Sequence, residues 1–188
     1  TDITLLGKDK SFKPVIEYAI NQSDAVTAVS QNLKEETLLN FKIKDEIKVI
    51  PNFIDMSLYN QDCNQILRDK FAKKEDQILV HISNFRKVKR VKDVVKIFEK
   101  VNKKVTSKLL MIGDGPERLK AEQLCRKLGI AKQVRFLGKL KVIEKFLCIA
   151  DVFVLPSETE SFGLVALEAM ASNCLLYTSD AADEHNCV

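Results

Sequence analysis

Between residues 78 and 170, four short apolar runs alternate with stretches whose apolar residues recur at helical spacing. The runs are 78–82, 109–112, 134–137 and 152–155. Short apolar or β-branched runs bounded by turn residues read as strands buried on both faces, and a 3.6-residue recurrence reads as helices laid against them. Val91, Val94, Val95, Phe98 and Val101 form one helix face. Ala121, Leu124, Cys125 and Leu128 form the next, with Pro116 where that helix can start and Gly129 closing it. Residues 142–149 form a third, and a fourth helix follows Leu155. Strand and helix in strict alternation specify a parallel sheet covered on both sides, a doubly wound α/β domain. In such sheets ligands bind outside the carboxyl ends of the strands. The loops there are 83–89, 113–116, 138–141 and 157–163.

Residues 1–50 read as helix (12–20), strand (25–29), helix and strand (47–50). Ser30 is placed to cap the second helix, with Leu33, Thr37 and Leu38 on one face. Two strands bury too little to stand alone, so this stretch reads as the C-terminal part of another parallel-sheet domain. Residues 51–76 read as a connection with a short helix at 66–71, and 77–173 as the ligand-binding domain. The chain opens on Thr1 without an initiator Met, as if cut from a longer protein. Residues 174–188 do not continue the pattern and resemble the translation of a transposase sequencing adapter. They are expected to be a non-native tail and are set aside from fold reasoning.

Apolar residues make up 46% of the 188, enough for a sizeable core. No apolar run reaches transmembrane length, and the opening residues do not read as a signal peptide. The five cysteines show no zinc spacing; Cys125 and Cys148 fall on apolar helix positions and read as core. This usage suits a reducing cytoplasm, which is the expected location. Net charge is +4, yet residues 86–108 hold ten Lys or Arg against two acids. Such a cluster suits nucleic acid, an anionic surface or a phosphorylated ligand. With few aromatics interleaved on an amphipathic helix, a solvated helix face is the preferred reading for most of it, and nucleic-acid binding ranks last.

The segment 160–170, E-S-F-G-L-V-A-L-E-A-M, carries the chemistry. Phe162, Gly163 and Leu164 are expected in the first helical turn, with Glu160 just before it and Glu168 about two turns along. Free backbone N–H groups and the helix dipole suit a phosphate there. Carboxylates on either side of it can accept bonds from hydroxyls, and a phosphate flanked by two polyols is a sugar nucleotide. The plainer alternative is a cap residue and a solvated glutamate. His81, mid-strand in an apolar run, reads as a satisfied core histidine rather than a catalytic base.

Glu160-x7-Glu168 in its Phe-Gly and Glu-Ala-Met context resembles the donor-site signature of retaining glycosyltransferases of family 4, which have the GT-B architecture. The resemblance implies two Rossmann-like doubly wound domains, both incomplete here. It implies that Glu160 fixes a sugar hydroxyl and Glu168 holds the ribose hydroxyls. Arg86 and Lys89, the latter chosen over Arg90, hold the donor diphosphate. Ser83 and Asn84 share their loop. Gly113, Asp114 and Gly115 form the turn near the donor, and Lys139 ends the segment 136–139 whose backbone meets the base. Ser161, Phe162, Gly163 and Leu164 complete the donor set. G-x-G at 113–115 lacks the third glycine of a dinucleotide fingerprint, which argues against an NAD enzyme. No D-x-D metal motif occurs, so neither metal nor cofactor is expected.

The longer runs 22–30, 52–55, 81–91 and 113–117 look like one branch of family 4. That branch moves N-acetylglucosamine from UDP to the hydroxyl of L-malate in bacillithiol synthesis, keeping the α configuration. The implied partners are a UDP-sugar donor and a small hydroxy-acid acceptor, with no nucleic acid and no membrane. Homo-oligomerisation of a full-length protein stays open. The chain by itself is expected to lack most of the malate site and to be inactive. Two alternatives stand: a family 4 transferase with another donor or acceptor, and a non-catalytic nucleotide-binding module of the same fold.

Overall fold

A computed structural model describes residues 7, 9–59 and 63–178. They fall into two compact units: one holds the described residues up to 53 with 160–164, the other those from 54 to 159 with 165–178.

The first unit runs α1 (Lys13–Asn21), β1 (Val26–Ala28), α2 (Gln31–Asn40) and β2 (Ile47–Val49). β1 and β2 pair in parallel, Val26 opposite Ile47 and Ala28 opposite Val49. Ser30 is extended and its Oγ accepts from the Leu33 N–H at 3.1 Å, the cap that the sequence implies. The same hydroxyl donates to the Ser161 carbonyl at 2.8 Å. The buried face of α2 is narrower than expected. Thr37 is buried with its hydroxyl satisfied by the Leu33 carbonyl, but Leu38 is 48% exposed. Successive helical residues point about 100° apart, so the two do not share a face.

The second unit runs α3 (Gln65–Asp69), β3 (Gln77–Ile82), α4 (Val91–Asn102), β4 (Ser107–Ile112), α5 (Arg118–Lys127), β5 (Val134–Gly138), α6 (Glu144–Cys148), β6 (Val152–Leu155), α7 (Leu164–Ala171) and β7 (Leu175–Thr178). Its five strands lie in the order β5-β4-β3-β6-β7, all parallel. The chain starts in the middle, builds outward to β5, then returns to place β6 on the other side of β3. The strand order therefore reverses between β3 and β6, and there the two following loops diverge to open a crevice.

Alternate side chains of each strand feed two cores. Leu79, Leu109, Met111, Val134 and Val154 pack under Val94, Val95, Phe98 and Cys125 of α4 and α5. Ile78, Val80, Leu110, Ile112 and Phe153 pack under Leu147 and Ala169 of α6 and α7. A parallel sheet covered on both faces requires these near-continuous apolar runs. Among the described residues, no helix is long and apolar enough to cross a membrane.

Four local readings are corrected. α7 begins at Leu164, not at Phe162, because Gly163 has φ +80°, outside helical space. α5 begins at Arg118, after a turn in which the Glu117 N–H is taken by the Phe85 carbonyl at 2.9 Å. The segment after Asn173, set aside as a tail, contributes β7, in register with β6 from Val152–Leu175 to Leu155–Thr178. Its apolar Leu-Leu-Tyr run supplies what an edge strand needs; residues 179–188 lie outside the described part. Cys148 is not a simple core residue. It is half-buried and disulfide-bonded to the exposed Cys63, with Cα atoms 5.4 Å apart.

Residues 54–76 are fastened to the sheet of the second unit through Arg68. Its guanidinium donates to the Ile149 carbonyl (2.6 Å), the Asp76 carbonyl (2.9 Å) and Asp151 Oδ2 (3.0 Å). Asp151 Oδ2 also accepts the Ile78 N–H at 2.7 Å, so one carboxylate pins α3 to the start of β3. Arg68→Ala strands two carbonyls and a part-buried carboxylate. It should lower the unfolding free energy by about 2–3 kcal/mol, measured as a shift of the urea midpoint at constant slope.

Candidate functional site

The crevice end of the second unit is built from the loops that follow β3, β4 and β6. The β3 loop, residues 83–90, leaves the sheet through Ser83 and Asn84, turns at the buried Phe85 and presents an exposed Arg86. A short 3-10 turn follows at Lys87–Lys89. Arg90 adopts a left-handed backbone, φ +49°, and opens α4. Its guanidinium is engaged by Asp93 Oδ2 at 2.9 Å. Arg90 is thus tied to its own helix.

The turn after β4 supports this loop from behind. A Cβ on Gly113 would stand 1.8 Å from the Ser83 carbonyl oxygen, and one on Gly115 would stand 2.1 Å from that of Asn84. Both glycines let two backbones touch, and the neighbour each meets is protein. Asp114 is exposed and its Oδ1 accepts the Gly115 N–H at 2.8 Å. Lys139, just past the end of β5, is also exposed. The β6 loop joins the β3 loop through the Glu158 N–H, which donates to the Val88 carbonyl at 2.9 Å. Beside it the buried Ser157 hydroxyl has no hydrogen-bond partner among the described residues.

Glu160, Ser161, Phe162, Gly163 and Leu164 belong to the first unit, where the Ser161 carbonyl accepts from Ser30. Glu160 is half-buried. Glu168, on α7 in the second unit, has a partner that sequence reasoning misses. The Tyr59 hydroxyl donates to Glu168 Oε1 at 3.0 Å. Burial raises the Tyr59 pKa to about 12, helped by that bond and by the Glu168 charge. Burial also raises Glu168, while the tyrosine bond pulls it back. The two residues lie 109 positions apart, and no local pattern links them.

Much of the basic stretch is solvated pairing on α4. Asp93 bonds Arg90 and Lys96, Glu99 pairs with Lys103, and Lys92 faces Glu117 at 4.0 Å. Burial pushes Asp93 up, but the bonds from Lys96 and Arg90 outweigh it and its carboxyl lies below the usual range. A groove of about 370 Å³ lined by Met56, Ser57, Met170, Ala171 and Asn173 includes none of the candidate residues.

Two family models match the chain: the one described as "Glycosyl transferases group 1" over residues 64–183, and "Glycosyltransferase Family 4" over residues 2–58. The N-acetyl-alpha-D-glucosaminyl L-malate synthase of Bacillus anthracis is 48% identical over 172 residues, 91% of this chain and 45% of that protein. The crystal structure of WaaG, a glycosyltransferase of lipopolysaccharide biosynthesis, superposes with a TM-score of 0.79 at 19% identity, over 93% of this chain and 50% of that one. Anabaena HepE in complex with UDP and glucose gives 0.78 at 21%, over 89% and 48%. The chain spans about half the length of the curated relatives it matches.

The state of Glu168 predicts a pH signature. A carboxyl raised by burial favours its protonated form in the fold. Its charged form therefore costs stability, and this cost appears as pH rises past the unfolded pKa of about 4.3. Glu168→Gln keeps an oxygen for Tyr59 but removes the charge. Urea unfolding of the two proteins should coincide near pH ~4 and below, and the variant should become the more stable one as pH rises to neutrality.

Proposed function

Because the chain belongs to the group 1 glycosyl transferases, of GT-B fold, we propose that it carries the donor-handling residues of an enzyme that moves N-acetylglucosamine from UDP to the hydroxyl of L-malate with retention. The observation that carries this reading is the 48% identity to the Bacillus anthracis malate synthase across 91% of the chain. The geometry supports the donor half of it. A basic loop carrying Arg86 and Lys89 follows β3 at the point where strand order reverses, the position at which doubly wound sheets bind ligands.

In the proposed reaction the bond from sugar C1 to the diphosphate oxygen breaks. A bond from C1 to the malate hydroxyl oxygen forms on the same face. The hydroxyl proton passes to the departing diphosphate, and no electrons are gained or lost. A retaining glycosidase would instead set two carboxylates about 5–5.5 Å apart with one as nucleophile. Here Glu160 is assigned to a sugar hydroxyl and Glu168 to the ribose. Arg86, Lys89 and the N–H groups at the start of α7 meet the charge that develops on the leaving diphosphate. With Oε1 of Glu168 held by Tyr59, Oε2 remains to accept from the ribose. The reducing cytoplasm read from the cysteine spacing does not fit the Cys63–Cys148 disulfide, so no compartment is proposed.

The test is UDP release from UDP-N-acetylglucosamine by the protein that carries these residues, with and without L-malate. Malate-dependent release is expected. Release with a different acceptor alone would keep the family and remove the malate assignment; UDP binding without any transfer would favour a binding module. In the same protein Glu168→Ala should weaken UDP binding about tenfold, and unchanged affinity would remove the ribose role.

A further inference from the structure

β3 is buried, and His81 is its one ionisable side chain, with no exposed surface. The β3–β6 register pairs Leu79 with Val152 and Val80 with Phe153. One residue on, the imidazole joins the same two strands. His81 Nδ1 lies 2.8 Å from the Val154 carbonyl oxygen, and Nε2 lies 2.8 Å from Ser83 Oγ. A carbonyl only accepts, so Nδ1 carries the hydrogen. In the neutral ring Nε2 then accepts, and the donor is the Ser83 hydroxyl. Ser83 Oγ in turn accepts the Phe85 N–H at 3.3 Å. Polarity runs one way from Phe85 through Ser83 and His81 to β6. A protonated ring would bring a second N–H against an oxygen whose own hydrogen then needs another acceptor, and would bury a charge.

What this relay holds is unusual. Phe85 has φ +41°, a left-handed backbone that a bulky residue rarely adopts and that persists only where its surroundings impose it. Its ring is fully buried, stacks on His81 at 6.1 Å and 18°, and meets Phe136 edge-on at 6.4 Å. Its carbonyl takes the Glu117 N–H. Arg86 follows immediately with an extended backbone.

We propose that His81 is a positioning residue. Fixed as the neutral Nδ1–H tautomer between Val154 and Ser83, it locks Phe85 in its left-handed turn and so sets the direction in which Arg86 leaves the loop. The proposal deepens the reading of Arg86 as a diphosphate ligand and rests on it. It also changes the role of Ser83. The hydroxyl hydrogen is committed to His81, so Ser83 shapes the loop rather than donating to a phosphate.

Two measurements on the chain test it. The sequence has two histidines, His81 and His185, so long-range proton–nitrogen NMR of 15N-histidine protein resolves both, with His81→Gln as the assignment control. The expected result at neutral pH is Nδ1–H for His81; an Nε2–H or doubly protonated ring overturns the proposal. The second measurement is the ratio of UDP to UMP affinity, which isolates the contribution of the second phosphate. Arg86→Ala and His81→Phe should each lower that ratio about tenfold. His81→Gln, whose amide can donate to Val154 and accept from Ser83, should keep it within about threefold. If His81→Phe does not fold, Ser83→Ala replaces it with the same expected loss. A structural defect without loop positioning would weaken UMP and UDP alike, leave the ratio intact and overturn the proposal. A ratio lowered by Arg86→Ala but not by the His81 or Ser83 changes overturns the positioning role alone. A ratio unmoved by Arg86→Ala overturns the diphosphate reading and this proposal with it.

Discussion

β3 is paired in parallel on both sides and covered on both faces, and the second unit is arranged around that constraint. From Ile78 to His81 the strand is buried, so the polar groups there need partners within the protein. The Asp151 carboxylate meets the Ile78 N–H at its start, and Val154 and Ser83 meet His81 near its end. Both partnerships reach across to β6 or the residue just before it. The two halves of the sheet, which the chain builds at different times, are thus joined by side chains as well as by a short ladder.

The alternation of elements is legible from residue 78 onward because a parallel sheet buried on both sides leaves a plain mark, short apolar runs separated by amphipathic turns. Boundaries are less legible where backbone conformation decides them. Gly163 sits at positive φ and delays α7, and the Glu117 N–H is drawn to Phe85 before α5 begins. The strand 175–178 escapes sequence reasoning because its residues break the expected pattern, although an edge strand asks only for a few apolar residues in register.

For the candidate site, residues that act through local spacing can be named from the sequence, and residues that act through tertiary contact cannot. Arg86 and the 113–115 turn are visible as loops after strands. The reason for the glycines is not: it lies in the crowding of Ser83 and Asn84 against them. His81 is legible as a buried, satisfied histidine, but burial alone does not say which backbone it steadies. Tyr59 stands in what reads as a polar connection, and only folding brings it to Glu168.

The bond between Cys63 and Cys148 has a topological result. It ties the approach to α3 to the end of α6, so β3, β4 and β5 with their helices lie inside one covalent ring, while β6, α7 and β7 hang outside it. While that bond is intact, one protease cut within the ring yields a nicked molecule rather than two pieces. When it is reduced, the same cut leaves two pieces held together by packing alone.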